Sequence, residues 1–315
     1  MFIIDGHCDS IQIALDKGID LEDKSLSFNL QEALERVPII QMTATFIHPK
    51  YKYPFQRACD IIKHFERQMK KYDKELVQVK TKEDIETVKN ENKIGCLLTI
   101  ENGEAIENKL ENVDYFYAKG VRLMSITWNE DNLLGCGAST KQDNGLTEFG
   151  KQYIKKLNNK KIIVDVSHSS QNTFWDTMKV SERPVVATHS CCYSLCQHPR
   201  NLKDEQIKAI ARNGGIIGIC YCTAFLSETE IASTKEIAKH IAYVTNLVGI
   251  EYVGLGSDFD GLEKENIPTD LKNIGQIDNL IQALENIGFY QNEIEKIMGE
   301  NWTRVLNREI SPKAF

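Results

Sequence analysis

The chain has 315 residues, 42% of them hydrophobic and 26% charged, with 38 basic against 45 acidic side chains and a net charge of −7. Those values suit a soluble globular protein, either one large barrel or two ordinary domains. No apolar run approaches the roughly 18 residues that a membrane span needs, and no basic stripe or zinc-finger, helix-turn-helix or RRM-like pattern points to nucleic acid.

The first segment, Ile3-Ile4-Asp5-Gly6-His7-Cys8-Asp9, is a short apolar strand running into H-x-D. Alternate side chains of an extended chain share a face, so His7 and Asp9 point one way and Cys8 the other. Met1 runs straight into this strand with no basic segment and no small-residue cleavage site, so a cytoplasmic chain without a secretory signal is expected. Nine cysteines are an odd number, and Cys96 and Cys220 sit inside apolar strand-like runs. Free thiols in a reducing compartment fit this better than a disulfide framework. The Cys191, Cys192 and Cys196 cluster lacks the paired C-x2-C spacing of a structural zinc site.

Residues 29–37 read as a short helix and 39–47 as a second strand, ended by His48-Pro49. From Pro54 to Tyr72 the spacing of Phe55, Ala58, Ile61, Ile62, Phe65 and Met69 predicts an amphipathic helix, with His64 at its surface or boundary. Thr81 and Asp84 form the T-x-x-D pattern of a capping box opening another helix. Strand three, 94–100, ends on Glu101. A helix over 110–119 leads through Gly120 to strand four, 121–127, which ends on Trp128-Asn129. The polar loop to Gly145 is of the kind that lines a site, and Phe149, Tyr153, Ile154 and Leu157 mark the helix after it.

Strand five, 162–167, ends on His168; after a helix at 174–180, strand six, 184–188, ends on His189-Ser190. A loop containing Arg200 leads to a helix over 204–212 and strand seven, 216–221. The helix at 234–248 carries His240, to which no ligand signal attaches. Strand eight, 252–257, ends on Asp258 within D-F-D-G, and two amphipathic segments, 274–287 and 291–306, close the chain. Eight near-continuous apolar strands alternating with helices predict an α/β fold, a (β/α)8 TIM-type barrel, with residues 1–315 as one domain. An open doubly wound sheet is disfavoured: no G-x-G-x-x-G follows the first strand, and polar residues mark many strand ends rather than one switch point.

In a barrel the C-terminal strand ends share one mouth, which would bring together His7, Asp9, Glu101, His168, His189 and Asp258. Each alone has an ordinary reading as a helix cap or loop anchor; five strands ending on metal-ligand types do not. Three imidazoles with carboxylates suit zinc or a similar divalent ion rather than calcium or magnesium. The donors exceed the needs of one ion, so two ions are expected, with Glu101 giving one oxygen to each. Such a pair sharpens a bridging water into hydroxide, with Asp258, placed opposite on the last strand, managing its proton.

The chain resembles the membrane (renal) dipeptidase family of dinuclear zinc peptidases, in the amidohydrolase-type barrel superfamily. The matching segments are D-G-H-x-D, the strand ending at Glu101, V-D-V-S-H ending at His168, A-T-H-S containing His189, R-N-L at Arg200 and G-S-D-F-D-G at Asp258. The likeness runs on to Asn301-Trp302-Thr303-Arg304-Val305. It implies that His7, Asp9 and Glu101 hold one zinc, and Glu101, His168 and His189 the other. Arg200 would bind the substrate's free carboxylate, planar fork to planar acid, unless it pairs with Asp204-Glu205. Asp258 would be the catalytic acid/base.

The implied activity is hydrolysis of dipeptides, with another small amide, lactone or ester as the alternative substrate; a homodimer is compatible with the sequence. Trp128 and Asn129 take substrate-side positions. Vertebrate members carry a histidine in that T-H-N segment, whereas Trp128 donates one hydrogen bond and neither accepts nor titrates. The tail from Ser311 to Phe315 reads as too short for the lipid-anchor signal of the membrane-anchored relatives.

Overall fold

The computed structural model describes residues 1–312, so part of the tail read from Ser311 to Phe315 lies outside the described residues. Nine parallel strands form one sheet: β1 (Ile3–Cys8), β2 (Ile39–Phe46), β3 (Leu76–Gln78), β4 (Ile94–Glu101), β5 (Leu123–Ser125), β6 (Ile163–Asp165), β7 (Val185–Ser190), β8 (Ile217–Ile219) and β9 (Val253–Leu255). β2 and β4 pair from Ile39 opposite Ile94 to Phe46 opposite Glu101, and β9 pairs with β1 through Leu255 and Asp5. Eight of the nine strands therefore close into the expected barrel, in the order β1-β2-β4-β5-β6-β7-β8-β9.

The ninth strand, β3, is an addition to the expected pattern. It pairs with the first half of β4, Leu76 to Gln78 against Ile94 to Cys96, while β5 pairs with the second half through Thr99 and Ile100. Three residues of which only Leu76 is fully buried carry no readable periodicity. The shorter strands, such as β6 over Ile163–Asp165, stop before their apolar runs do, although the Val166 N–H still donates to Val186 O on β7 at 2.9 Å.

Successive strand residues divide between two cores, as a sheet buried on both faces requires. Ile4, Ile40, Met42, Leu97, Leu123, Ile163, Val186 and Ile216 fill the barrel interior. Their neighbours Ile3, Ile39, Leu98, Met124, Val164, Val185 and Ile217 face the helices. Trp302, fully buried on the closing helix Asn301–Glu309, stoppers the interior from below and donates its indole N–H to Leu255 O at 2.9 Å.

Several local readings are met closely. The helix Lys82–Glu91 opens with the Thr81–Asp84 capping box, and the helices Asp204–Arg212 and Thr234–Val248 have the expected limits. Two differ. His64, read as a surface or boundary residue, is only 6% exposed and sits 3.0 Å from Arg67 Nη2. A helix over Ser10–Lys17, absent from the sequence reading, starts directly after Asp9. Asp9 holds its N-cap position without a side-chain cap bond, which leaves the carboxylate free.

Glycines let the strands approach closely beneath the mouth. A Cβ at Gly6, Gly218 or Gly256 would lie well inside van der Waals contact with Thr188 O, closest at Gly256. Gly256→Ala must therefore push β9 away from β7, and overpacking of this kind costs about 1–3 kcal/mol. A lowered urea midpoint with an unchanged slope is the expected outcome; an unchanged midpoint would show that the strands separate without cost.

Candidate metal centre

The strand ends deliver all six expected residues to one place. His7 lies on β1 and His189 on β7, Glu101 is the last residue of β4, Asp9 follows β1, and His168 and Asp258 follow β6 and β9. Three sets of donor atoms are close enough to share a metal ion: His7, Asp9 and Glu101; Glu101, His168 and His189; and His7, His189 and Asp258. Glu101 spans the first two sets, its Oε2 lying 3.2 Å from His7 Nε2 and its Oε1 2.8 Å from His168 Nε2 and 3.8 Å from His189 Nε2. Asp258 lies beside His7. Its Oδ1 is 3.9 Å from His7 Nε2 and its N–H donates to His7 O, because barrel closure makes the last strand a neighbour of the first.

Hydrogen bonding fixes what the imidazoles offer. Thr188 Oγ1 donates to Asp165 Oδ2 at 2.6 Å, so toward His189 it must accept, and His189 Nδ1 at 2.8 Å carries the proton. His168 Nδ1 donates likewise to Asn129 Oδ1 at 2.8 Å. Both Nε2 atoms then present lone pairs, and these face each other across 2.8 Å. Two lone pairs do not approach so closely without a cation between or beside them. His7 Nε2 and Asp9 Oδ1 are likewise buried with no hydrogen-bond partner of proper geometry. The donor set therefore fits two divalent cations, each held by imidazole nitrogen and carboxylate oxygen.

In the metal-free chain burial would lower His7, but Glu101 and Asp9 outweigh it and raise the ring well above the usual histidine range, whereas the other two imidazoles stay neutral. Burial disfavours charge on every member, most clearly at His189, held well below the usual histidine range, and at His168, lowered to about 4 by burial and by the Arg200 charge. Both are thus the neutral rings a metal takes. Burial would raise Glu101, but His7 and His168 outweigh it and keep the carboxylate ionised. Asp9 is raised to about 6 by burial, against the pull of His7. Asp258 is pushed up to about 8 by burial, His7 opposing and Asp9 and Glu101 adding to it.

Arg200 is 6% exposed, and it pairs with neither Asp204 nor Glu205. Its Nη2 donates to His189 O at 3.4 Å, whereas Nε and Nη1 are buried and unpartnered. Asp204 instead accepts from Ser194 and Tyr243. Above the centre opens a cavity of about 660 Å³ whose lining includes Asp9, Glu101, His168 and Asp258, with Phe46, His48 and Trp128 as an aromatic wall. The Trp128 ring lies 6.1 Å from that of His168. Asn129, expected on the substrate side, has its carboxamide oxygen on His168 instead.

The supporting groups carry weaker sequence signals. Asp165 accepts from the backbone N–H groups and hydroxyls of both Ser167 and Thr188. Asp5 accepts from Gln41 Nε2, from the Ser257 backbone N–H and from its hydroxyl. Both are acids inside apolar strands, two residues before a site position or three, and that oddity is the signal that could have found them. Among the described residues, Cys191, Cys192 and Cys196 belong to none of the donor sets, and all nine cysteines are free.

A family model described as membrane dipeptidase, peptidase family M19, matches residues 1–313. An uncharacterised protein of Klebsiella pneumoniae, encoded in the pqqA 5′ region, is 36% identical over 236 residues, covering 71% of this chain and 85% of its own length. An uncharacterised dipeptidase of Schizosaccharomyces pombe is 32% identical over 243 residues, 75% of this chain; the match spans 58% of that protein's length. A metallopeptidase of Rhodobacter sphaeroides, solved with a phosphinate mimic of the dipeptide L-Ala-D-Ala, superposes with a TM-score of 0.90 at 22% identity, covering 98% of this chain and 99% of the other.

Asn129 and Thr188 set the ring tautomers from outside the donor set, and loss of such a partner costs about 10–100-fold in metal affinity. Asn129→Leu should weaken one of two sites by that amount in a divalent-metal titration against a competing chelator. Two unchanged affinities would remove Asn129 from the orienting role.

Proposed function

The chain belongs to the membrane dipeptidase family, peptidase family M19, and from that premise we propose that it is a zinc-dependent dipeptidase. At the coarser level it is a metal-dependent hydrolase of the amidohydrolase barrel type that acts on amide or peptide bonds. The observation that carries the proposal is Glu101 with one oxygen turned to each donor set. We assign His7, Asp9 and Glu101 to one zinc and Glu101, His168 and His189 to the other. When bound, such a pair polarises a carbonyl oxygen and lowers the pKa of a water.

The chain's own residues supply positioning and proton transfer. Hydrolysis adds water oxygen to the carbonyl carbon, breaks the C–N bond and leaves a proton to reach the departing nitrogen. Asp258 is the group for that transfer: it reaches the centre from β9 beside His7, where its carboxylate can take a proton from the water and pass it to the departing nitrogen. Arg200 supports the restriction to dipeptides. Its buried guanidinium keeps Nε and Nη1 without partners, donors that a carboxylate could take up, and the free carboxylate of a dipeptide lies one residue beyond the scissile bond. Trp128, on the aromatic wall, would line the same bound substrate.

We further place residues 1–315 in one domain and the protein in the cytoplasm, the latter supported by its free, buried cysteines. No helix among the described residues is long and apolar enough to cross a membrane.

Metal-replete protein should carry close to two zinc ions per chain by elemental analysis, and Glu101→Ala should lower the affinity of both. A single ion that no titration supplements would overturn the paired assignment. Asp258→Asn keeps the shape and removes the proton carrier; kcat should fall by roughly 10²–10⁴-fold at unchanged metal content.

Arg200→Ala should cost at least about tenfold in kcat/KM on free dipeptides, since 1.4 kcal/mol is a decade and a desolvated charge pair contributes more than that. The loss should be much smaller on dipeptide amides, themselves poor substrates of the wild type. Equal losses on both would move the substrate class to another amide or ester.

A further inference from the structure

The cavity wall beside β1 and β2 carries two polar groups that the metal centre and the proton transfer leave unused. Gln12, in the first turn of the helix Ser10–Lys17, lines the cavity at 8% exposure, and its Oε1 is buried without a hydrogen-bond partner. A buried amide oxygen is costly to leave unpaired, so a donor arriving with a ligand gains more here than at a solvated surface.

His48, just beyond β2, lines the same cavity. The backbone N–H of Lys50 donates to its Nδ1 at 3.0 Å. That bond fixes the neutral tautomer with its proton on Nε2, a donor. Phe46 and Trp128 pack against the ring at centroid distances of 6.0 and 5.3 Å and against each other at 5.3 Å, so the three rings form one cluster.

Topology says which end of a substrate meets this wall. Around the closed barrel, β2 and β7 stand four strands apart, the maximum for eight. Arg200 follows β7. A dipeptide with its carboxylate on Arg200 and its scissile bond over Glu101 therefore directs its N-terminal residue toward Gln12 and His48. Outside the centre the cavity lining carries charges of both signs, Asp16, Asp260, Glu263 and Glu265 with Lys17, Lys50 and Lys264, and Gln12 itself offers no counter-charge to an ionised side chain.

We propose that Gln12 and His48 form the subsite for the substrate's N-terminal side chain, and that it selects an uncharged group able to donate and accept together: a carboxamide first, a hydroxyl second. An amide N–H would meet Gln12 Oε1, and a carbonyl or hydroxyl oxygen would take the proton of His48 Nε2. The inference rests on the dipeptidase reading.

The test compares kcat/KM of the zinc-loaded enzyme on Gln-Ala, norleucyl-Ala and Ala-Ala. Norleucine matches the length of glutamine and makes no hydrogen bond. The wild type should favour Gln-Ala over norleucyl-Ala by about tenfold, and the ratio should fall to within about twofold of unity in Gln12→Met and in His48→Phe, which keeps the aromatic stack. Dissociation constants of the corresponding reduced-amide analogues, measured by calorimetry, should show the same ratio and the same collapse. Turnover with a wild-type ratio near unity, or a ratio that both variants retain, overturns the subsite alone. No turnover of any of the three overturns the dipeptidase assignment and the subsite with it.

Discussion

Glu101 is 5% exposed at the end of β4, with His7 against one of its oxygens and His168 against the other. Around it are Asp9 and Asp258, and two neutral imidazoles whose lone pairs point at each other. So many electron-pair donors in a desolvated pocket are stable only with cations among them, because burial removes the water that would otherwise screen them. The chain accepts this strain at the one end of the barrel where the strand ends converge and the loops are free to specialise. The opposite end is sealed with Trp302, Val305 and Leu306.

Rigidity beneath the centre comes from buried acids that are not ligands. Asp165 ties β6 to β7 through Thr188, and Thr188 in turn fixes the His189 tautomer. Asp5 ties β1 to β9 through the backbone N–H and hydroxyl of Ser257. Each acid satisfies its oxygens with several donors, so a buried charge becomes a fixed joint between neighbouring strands. The small residues Gly6, Gly218 and Gly256 allow those strands to approach within reach of the Thr188 carbonyl. Site geometry and barrel packing are thus one set of contacts.

The cavity is chemically uneven from side to side. Its lining carries Gln12, whose Oε1 is unpaired, and His48, whose ring packs with Phe46 and Trp128, while Arg200 lies buried beyond β7 with two unpaired donors. Between them lies the acid-rich centre.

Read along the chain alone, the barrel and the donor set are both legible. Each strand is a run of apolar residues long enough to show that both faces are buried, and each ligand follows such a run at its polar end. His7, Asp9, Glu101, His168, His189 and Asp258 could therefore be named from local pattern, because a parallel barrel turns position in sequence into position at the mouth. What local pattern does not hold is contact between distant segments. β3 is three residues long and exists through its pairing with β4. The helix Ser10–Lys17 follows the motif so closely that its start is hidden by it. Asp258 beside His7, Asn129 on His168 and the unpartnered Gln12 depend on closure of the barrel and on which loops then meet. Hydrophobic periodicity and the polar residues ending each run determined the fold and the candidate donor set; tautomers, neighbours and the shape of the cavity were decided by tertiary structure, since each is a relation between residues tens to hundreds of positions apart.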